Sequence, residues 1–446
     1  RRVRHVRLGH TDGATTLVGD TALVHAGAAG SELTLGTVAS TLGTETLDLL
    51  ATDAAVEIAS ITSLGTLNVT NAASFTVTGA ASVADLVDLN ATTGGSFAFD
   101  GALTTARLET NDADDGNDVF ALALNGGATI TDPVTLDNAG DLVLGNGVGG
   151  DDLLVFTGGL EATAAPITGI RLGGTLEAVG MSDLALGNAA DDAVMLGANT
   201  TISVDGGTAT LESVAEMNPN TVLTLGDGGS TGLLEITNEL TVTTLDTVTA
   251  PYRVSLLGDT TVSADTTFDN TVNLTLGDMT ADVLLFAGGL DTTAVDTTNT
   301  AGSVSTTDAP MDLGATILDL DTTLLAGSGP ITVATITDGT ADLALALQDA
   351  GGSGDVTFVG DVTLNTLQTF AGSYGVAFDG GATIDTLTTF ANLGTVAFGD
   401  AGDTTVFTAG VDTAARGLGT TTELGGTLEA VNAPVDLSDT TLVSVG

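Results

Sequence analysis

Residues 356–375 read VTFVGDVTLNTLQTFAGSYG, residues 376–395 read VAFDGGATIDTLTTFANLGT, and residues 396–398 begin VAF again. Aligned, they place Phe358 with Phe378 and Phe398, Leu364 with Ile384, Leu367 with Leu387, and Phe370 with Phe390. The large apolar residues therefore return with a period of 20. A unit that short cannot enclose a core of its own. It has to bury its apolar side against its neighbours, which is the logic of a solenoid.

The same pattern extends outward. Leu33-Thr-Leu35, Leu67-Asn-Val69, Phe75-Thr-Val77 and Leu223-Thr-Leu225 alternate apolar with small polar residues and then meet a turn, which predicts short strands with sharp corners. Helical periodicity is weak throughout. A Leu-x-Leu-Gly element starts at residues 33, 142, 184, 223 and 274; its steps of 42 and 39 approach two rungs and its step of 51 does not, so rung length is expected to vary. A longer repeat overlies the short one. LALNGGATI at 122–130 matches VAFDGGATI at 376–384, LGGTLEAV at 172–179 recurs identically at 424–431, and Phe156-Thr-Gly-Gly-Leu-Glu161 matches Phe407-Thr-Ala-Gly-Val-Asp412. Landmarks in one order at offsets of 251 to 254 predict a duplicated module of about 252 residues, with copies near 120–186 and 374–438. Phe286-Ala-Gly-Gly-Leu-Asp291 falls between them and suggests a half-repeat of about 125 residues.

These observations predict an all-β, parallel β-solenoid with about twenty residues per rung over residues 31–446, preceded by a cap or docking segment at residues 1–30. At about 4.8 Å per stacked strand, roughly 22 rungs would extend about 100 Å. Tandem immunoglobulin-like sandwiches are the alternative, since a module near 125 residues has their size, although they do not require a twenty-residue period.

The chain has 446 residues, 57 Asp and Glu against 8 basic residues, all of them Arg, and a net charge of −49. That field disfavours nucleic acid and anionic membranes as partners. Hydrophobic content is 43% and mean hydropathy +0.37, too apolar for a disordered acidic tail. Cys and Trp are absent and aromatics make up 3%, so the interior has to be built from Leu, Val, Ile and Ala with occasional Phe. With no Cys there is no disulfide framework, thiolate metal site or thiol nucleophile. No apolar run approaches a membrane span, and the first residue is Arg1 without a signal peptide, which reads as a mature or excerpted form. Arg1, Arg2, Arg4 and Arg7 make a basic head on an acidic body and are candidates for docking onto the next subunit.

The Gly-rich Val-x-Phe-x-Gly rungs and the Phe-Thr-Gly-Gly-Leu-Glu element, over most of the chain from about residue 30, resemble the β-helical repeats of large bacterial surface proteins, the filamentous-haemagglutinin-type adhesins and autotransporter passengers. No secretion domain or membrane barrel of those families is recognisable here. The composition is also similar to that of surface-layer proteins. The resemblance implies an extracellular, cell-surface location and a structural role.

Asp112, Asp114, Asp115 and Asp118 form the densest carboxylate run and, with Asp151 and Asp152, are the candidate calcium ligands, because hard oxygens beside turn glycines suit that ion. Their spacing departs from an EF-hand loop and from the nonapeptide of calcium β-rolls, and solvated turn aspartates are the favoured alternative. GNGVGG at 145–150 has no Lys to meet a phosphate, and the three His crowd at residues 5, 10 and 25, so nucleotide binding and Ser-His-Asp catalysis are both disfavoured. A sugar platform would have only Tyr252 and Tyr374 to draw on. The sequence thus predicts no enzyme but a structural repeat protein forming a rigid rod in a cell-surface fibre or adhesin stalk, with self-association and cell-surface glycans as its candidate partners. A calcium-stabilised surface-layer lattice is the second reading and a carbohydrate-processing β-helix the third.

Overall fold

The computed structural model describes residues 5–8, 14–25, 30–91, 94–110, 119–148, 152–163, 167–188, 193–340, 342–348, 351–399, 402–416, 420–437 and 440–442. Strand accounts for 56% and helix for 1%, and the strands wind into a parallel β-solenoid of about 17 turns with about 23 residues per turn. The coils fall into two compact units, Arg1–Leu234 and Glu235–Gly446.

Among the described residues the coils run over three faces, with a separate strand on each wherever the corners are distinct. In the second unit one face carries Val356–Phe358, Val376–Phe378, Val396–Phe398 and Thr422–Leu424 side by side in parallel register. The next carries Val362–Leu364, Ala382–Ile384, Thr404–Phe407 and Thr427–Ala430. Thr388–Thr389, Val411–Asp412 and Val435–Asp436 lie on the third. The first unit is built the same way. Ser74–Val77, Ser96–Phe99, Ala121–Leu124 and Asp141–Leu144 share one face, Leu103–Thr105, Ala128–Ile130 and Leu153–Phe156 another, and Val134–Thr135, Leu160–Ala162, Leu184–Leu186 and Thr208–Leu211 the third. Pairing that joins equivalent positions of consecutive coils, parallel throughout the described pairs, excludes the hairpins of the immunoglobulin-like alternative.

Strand alternation decides what is inside. In Val376–Phe378 and Ala382–Ile384 the outer residues of each triplet are buried while Ala377 and Thr383 face outward. Thr fills many outward positions because its β-branch fits a pleated strand and its hydroxyl tolerates water. The Phe residues that set the period stack inside: Phe378 lies between Phe358 and Phe398 at centroid distances of 5.2 and 5.9 Å with nearly parallel rings, and Phe390 meets it edge-on at 6.4 Å.

The twenty-residue rung holds only locally. Val376 lies beside Val396, 20 residues on, but Leu142 lies beside Ile170, 28 on, and Thr422 beside Thr440, 18 on. The average is therefore about 23 residues and the number of turns about 17, where the sequence had led to twenty and about 22. The ladder fixes strand length, so the extra residues go into the corners. Elsewhere the corner is only a bulge in a continuous strand: Ala55–Thr70 and Met311–Leu325 each run across successive faces, with register shifts along Ala55–Thr70. Residues 1–30 already contain ladder strands, since His5–Leu8 pairs with residues 32–35 and Thr15–Leu17 with residues 38–40.

A recurrence finer than the 252-residue offset is visible in the strands. Residues 120–145, 252–277 and 374–399 align without a gap, and all three carry strands at the same places: Ala121–Leu124, Arg253–Leu256 and Val376–Phe378, then Ala128–Ile130, Thr260–Val262 and Ala382–Ile384. The last two copies nevertheless begin on different faces of the second unit, because their spacing is not a whole number of coils. The face that holds Arg253–Leu256 continues, one coil at a time, to Ala382–Ile384 and not to Val376–Phe378.

Replacing Phe378 with Ala removes the middle ring of this stack, and in a well-packed interior such a truncation costs about 3–5 kcal/mol. Denaturant unfolding should show that loss. Because each coil contacts only its neighbours, amide exchange should quicken first in residues 356–398 and stay unchanged in the first unit.

Candidate functional site

Acidic side chains sit at the corners and are used as hydrogen-bond acceptors. After the Leu-x-Leu strands Asp141–Leu144 and Asn273–Leu276, Gly145 and Gly277 turn the chain with φ of +73° and +78°, a left-handed conformation that favours glycine. The N–H groups exposed by that turn are gathered by a carboxylate a few residues on. Asp152 Oδ2 accepts from Asn146 and Gly147 N–H, both at 2.8 Å, and Asp282 Oδ2 accepts from Asp278 and Met279 N–H at 2.8 and 2.7 Å. Asp152, one of the candidate calcium ligands, is buried in this role. Asp112, Asp114, Asp115, Asp118 and Asp151 lie outside the described residues. Among the described residues no group of three or more His, Asp or Glu is placed to hold a metal ion.

A second set of aspartates ties one coil to the next. Asp20 accepts from Thr46 N–H, Asp183 from Thr208, Asp259 from Val283, Asp308 from Ser328, Asp321 from Ala344 and Asp355 from Gly375, at 2.6 to 2.9 Å. Each carboxylate meets an N–H in a turn or at the start of a strand. The Ser328 N–H and hydroxyl hold the Asp308 carboxyl below its ordinary range. At the turn of residues 41–45, the Ser40 hydroxyl first, then the Thr41 hydroxyl and backbone N–H groups, pull Glu45 down to about 2. Other carboxyls move the opposite way. Desolvation, with the charges of Asp227 and Asp205, raises Glu177; desolvation and Asp282 raise Asp278; desolvation, with Asp385 and Asp321, raises Asp338.

The sequence reading missed a buried asparagine in each of the three aligned segments. Asn138, Asn270 and Asn392 donate through Nδ2 to the backbone oxygens of Phe120, Tyr252 and Tyr374, in each case 18 residues earlier. An aromatic followed by Asn at that spacing was the available signal. Tyr252 and Tyr374, considered for a sugar platform, are fully buried; their hydroxyls accept the N–H groups of Val248 and Phe370 at 2.9 and 2.8 Å.

Of the basic head, Arg1, Arg2 and Arg4 lie outside the described residues, and Arg7 occupies a strand in register with Thr34. Arg107 makes exposed ion pairs with Asp85 and Glu109 at 3.2 and 3.5 Å, a kind of contact that contributes little to stability. Arg416 is buried and donates to the carbonyls of Thr413, Gly394 and Thr421 and to the Thr422 hydroxyl, and desolvation lowers its pKa.

A shallow groove of about 390 Å³ in the second unit is bordered by Ser305, Thr306, Thr307, Asp308, Ser328 and Ser353. Ser305 and Thr306 hydroxyls already donate to Leu284 and Ala309 carbonyls. Asp308 is the one carboxylate among its lining residues, whereas glycoside hydrolysis needs a pair. Among the described residues no helix is long and apolar enough to cross a membrane. No protein-family model matches the chain, and comparison with curated proteins and with solved structures finds no match.

Two substitutions test the corner carboxylates. Asp282→Asn keeps the shape but weakens two charge-assisted hydrogen bonds, and should cost about 1–3 kcal/mol in denaturant unfolding. Glu45→Gln should lower the melting temperature at neutral pH. Because the folded-state pKa of Glu45 is depressed, its contribution is complete above the ordinary value of 4.5 and is lost as pH falls through about 2. The difference between wild type and variant should therefore close across that interval.

Proposed function

We propose that this chain is a structural repeat protein, a rigid element of an extracellular cell-surface fibre or adhesin stalk, which works through stiffness and self-association and not through chemistry on a substrate. The observation that carries this reading is the parallel ladder that joins consecutive coils over an apolar interior in each unit, among the described residues. Bending such a stack means breaking many backbone hydrogen bonds at once, so the architecture suits a load-bearing spacer. The carboxylates at the corners keep the outer surface soluble and oppose binding to nucleic acid or anionic lipid. Cell-surface glycans are the class of ligand that a stalk of this kind would present itself to.

A lattice tied by calcium is the second reading. It is favoured by Glu177, whose pKa is raised by desolvation first and then by the charges of Asp227 and Asp205, a repulsion that a cation between neighbouring subunits would relieve. A carbohydrate-processing role comes last, since the Ser- and Thr-lined groove has a single carboxylate.

Negative-stain electron microscopy of the purified chain, with and without chelator, separates these readings. Filaments that persist in chelator are expected for the fibre, and a sheet that dissolves in chelator would replace it with the lattice. Glycan turnover by a homogeneous preparation would sink both.

A further inference from the structure

The groove in the second unit has an apolar floor and a polar rim. Its floor comes from outward positions of consecutive coils: Leu285 lies beside Ser305, and Ser305 beside Leu325. Both leucines are half-buried. The Ser305 hydroxyl is engaged by the Leu284 carbonyl at 3.2 Å, so the floor presents two apolar patches two ladder steps apart, about 10 Å. Around it stand Thr307, Asp308, Ser328 and Ser353, all four exposed.

The rim is held in place from coil to coil. Asp308, Gly327 and Gln348, on three consecutive coils, have φ of +54°, +58° and +54°. Residues other than glycine are strained in that region, and such strain collects where ligands are clamped. Asp308 Oδ1 accepts the Ser328 N–H at 2.8 Å, and a Cβ on Gly327 would lie 2.5 Å from that same oxygen, so the close approach of these two coils needs glycine. Behind them the buried Gln348 accepts the Ala326 N–H at 3.1 Å and donates to the Gly354 carbonyl at 2.9 Å, while the Ser353 N–H meets the Gly327 carbonyl at 2.6 Å. The Ser328 N–H and hydroxyl, which hold the Asp308 carboxyl below its ordinary range, keep it charged at neutral pH.

We propose that this groove binds one sugar ring bearing an ammonium group, with the C–H face of the ring on Leu285 and Leu325, its hydroxyls on Thr307, Ser328 and Ser353, and the ammonium facing the Asp308 carboxylate. The inference rests on the reading of a stalk that meets glycans, and names the site and the kind of sugar. Three features select this ligand. The volume of about 390 Å³ lies toward the small end of ligand sites, which run over roughly 300–1,000 Å³. A ring with an apolar face and a hydroxyl edge matches a floor of leucine and a rim of hydroxyls. A chain of net charge −49 draws cations to its one groove carboxylate and repels acidic sugars. A single carboxylate also suits binding without hydrolysis.

Amide chemical-shift titration of the isotope-labelled full chain tests this with the methyl glycosides of glucosamine, glucose and glucuronic acid, and with butylammonium as a cation that lacks the ring. The glucosaminide should bind about two- to fivefold more tightly than the glucoside, the increment of one exposed ion pair, with shifts at Thr307, Ser328 and Ser353. The glucuronide and butylammonium should bind more weakly than either. Asp308→Asn, which keeps an acceptor and a residue type that tolerates positive φ, should bind glucosaminide and glucoside equally. Thr307→Arg, at an exposed position, should bind none of them and keep the circular dichroism of wild type. The proposal is overturned by an absence of shifts with every sugar, by equal binding of glucosaminide and glucoside to wild type, by butylammonium binding as tightly as the glucosaminide, or by a preference that survives Asp308→Asn. The stalk reading is judged separately. Sugar binding by a chain that forms no filaments in the microscope would remove that reading and leave the site, and filaments from a chain that binds no sugar would do the reverse.

Discussion

The parallel hydrogen-bond ladder between consecutive coils is the constraint from which the rest of each unit follows. Once Val356, Val376 and Val396 are neighbours on one face, every alternate residue of those strands is committed to the interior. A slip of one residue would turn Phe358, Phe378 and Phe398 outward together. Coil length can then vary only where the ladder is interrupted, and so the corners absorb coils of between 18 and 28 residues without disturbing the faces. Stability in such a stack is a matter of nearest neighbours.

Interrupting the ladder has a cost, because turn N–H groups near an apolar interior need acceptors. Aspartate supplies them here. Asp152 and Asp282 serve N–H groups within their own turns, while Asp308 and Asp355 reach the next coil. Part of the acidity therefore has a structural use, and it recurs because each additional coil brings additional corners. Like charge also gathers on the surface: desolvation first, and then the charges of Asp227 and Asp205, raise the pKa of Glu177. Salt screens that repulsion, and bound cations would oppose it more locally.

Legibility varied along the chain for identifiable reasons. Phe358, Phe378 and Phe398 reveal the solenoid because two successive coils there have equal length, so equivalent residues stand at one spacing. Around Leu142 and Ile170 the intervening corner is longer, and the same geometry leaves no fixed interval to detect. The threefold recurrence was obscured because Phe120 replaces the Tyr of the other two copies and because the copies are 132 and 122 residues apart. Among the candidate ligands, Asp152 looked like a solvated or metal-binding turn residue, and its burial against Asn146 and Gly147 N–H groups became apparent only with the backbone in place. The cross-coil aspartates were harder still to read, since Asp20 and Asp355 meet partners 26 and 20 residues away.

By itself the sequence determined the strand content, the inside and outside of each strand, and the need for stacking, because alternation and a short apolar period are properties of neighbouring residues. The tertiary structure alone decided how long each coil is, on which face each copy begins, and which carboxylate serves which N–H. Those outcomes depend on a residue one coil away, and the corner in between sets that distance with no fixed count.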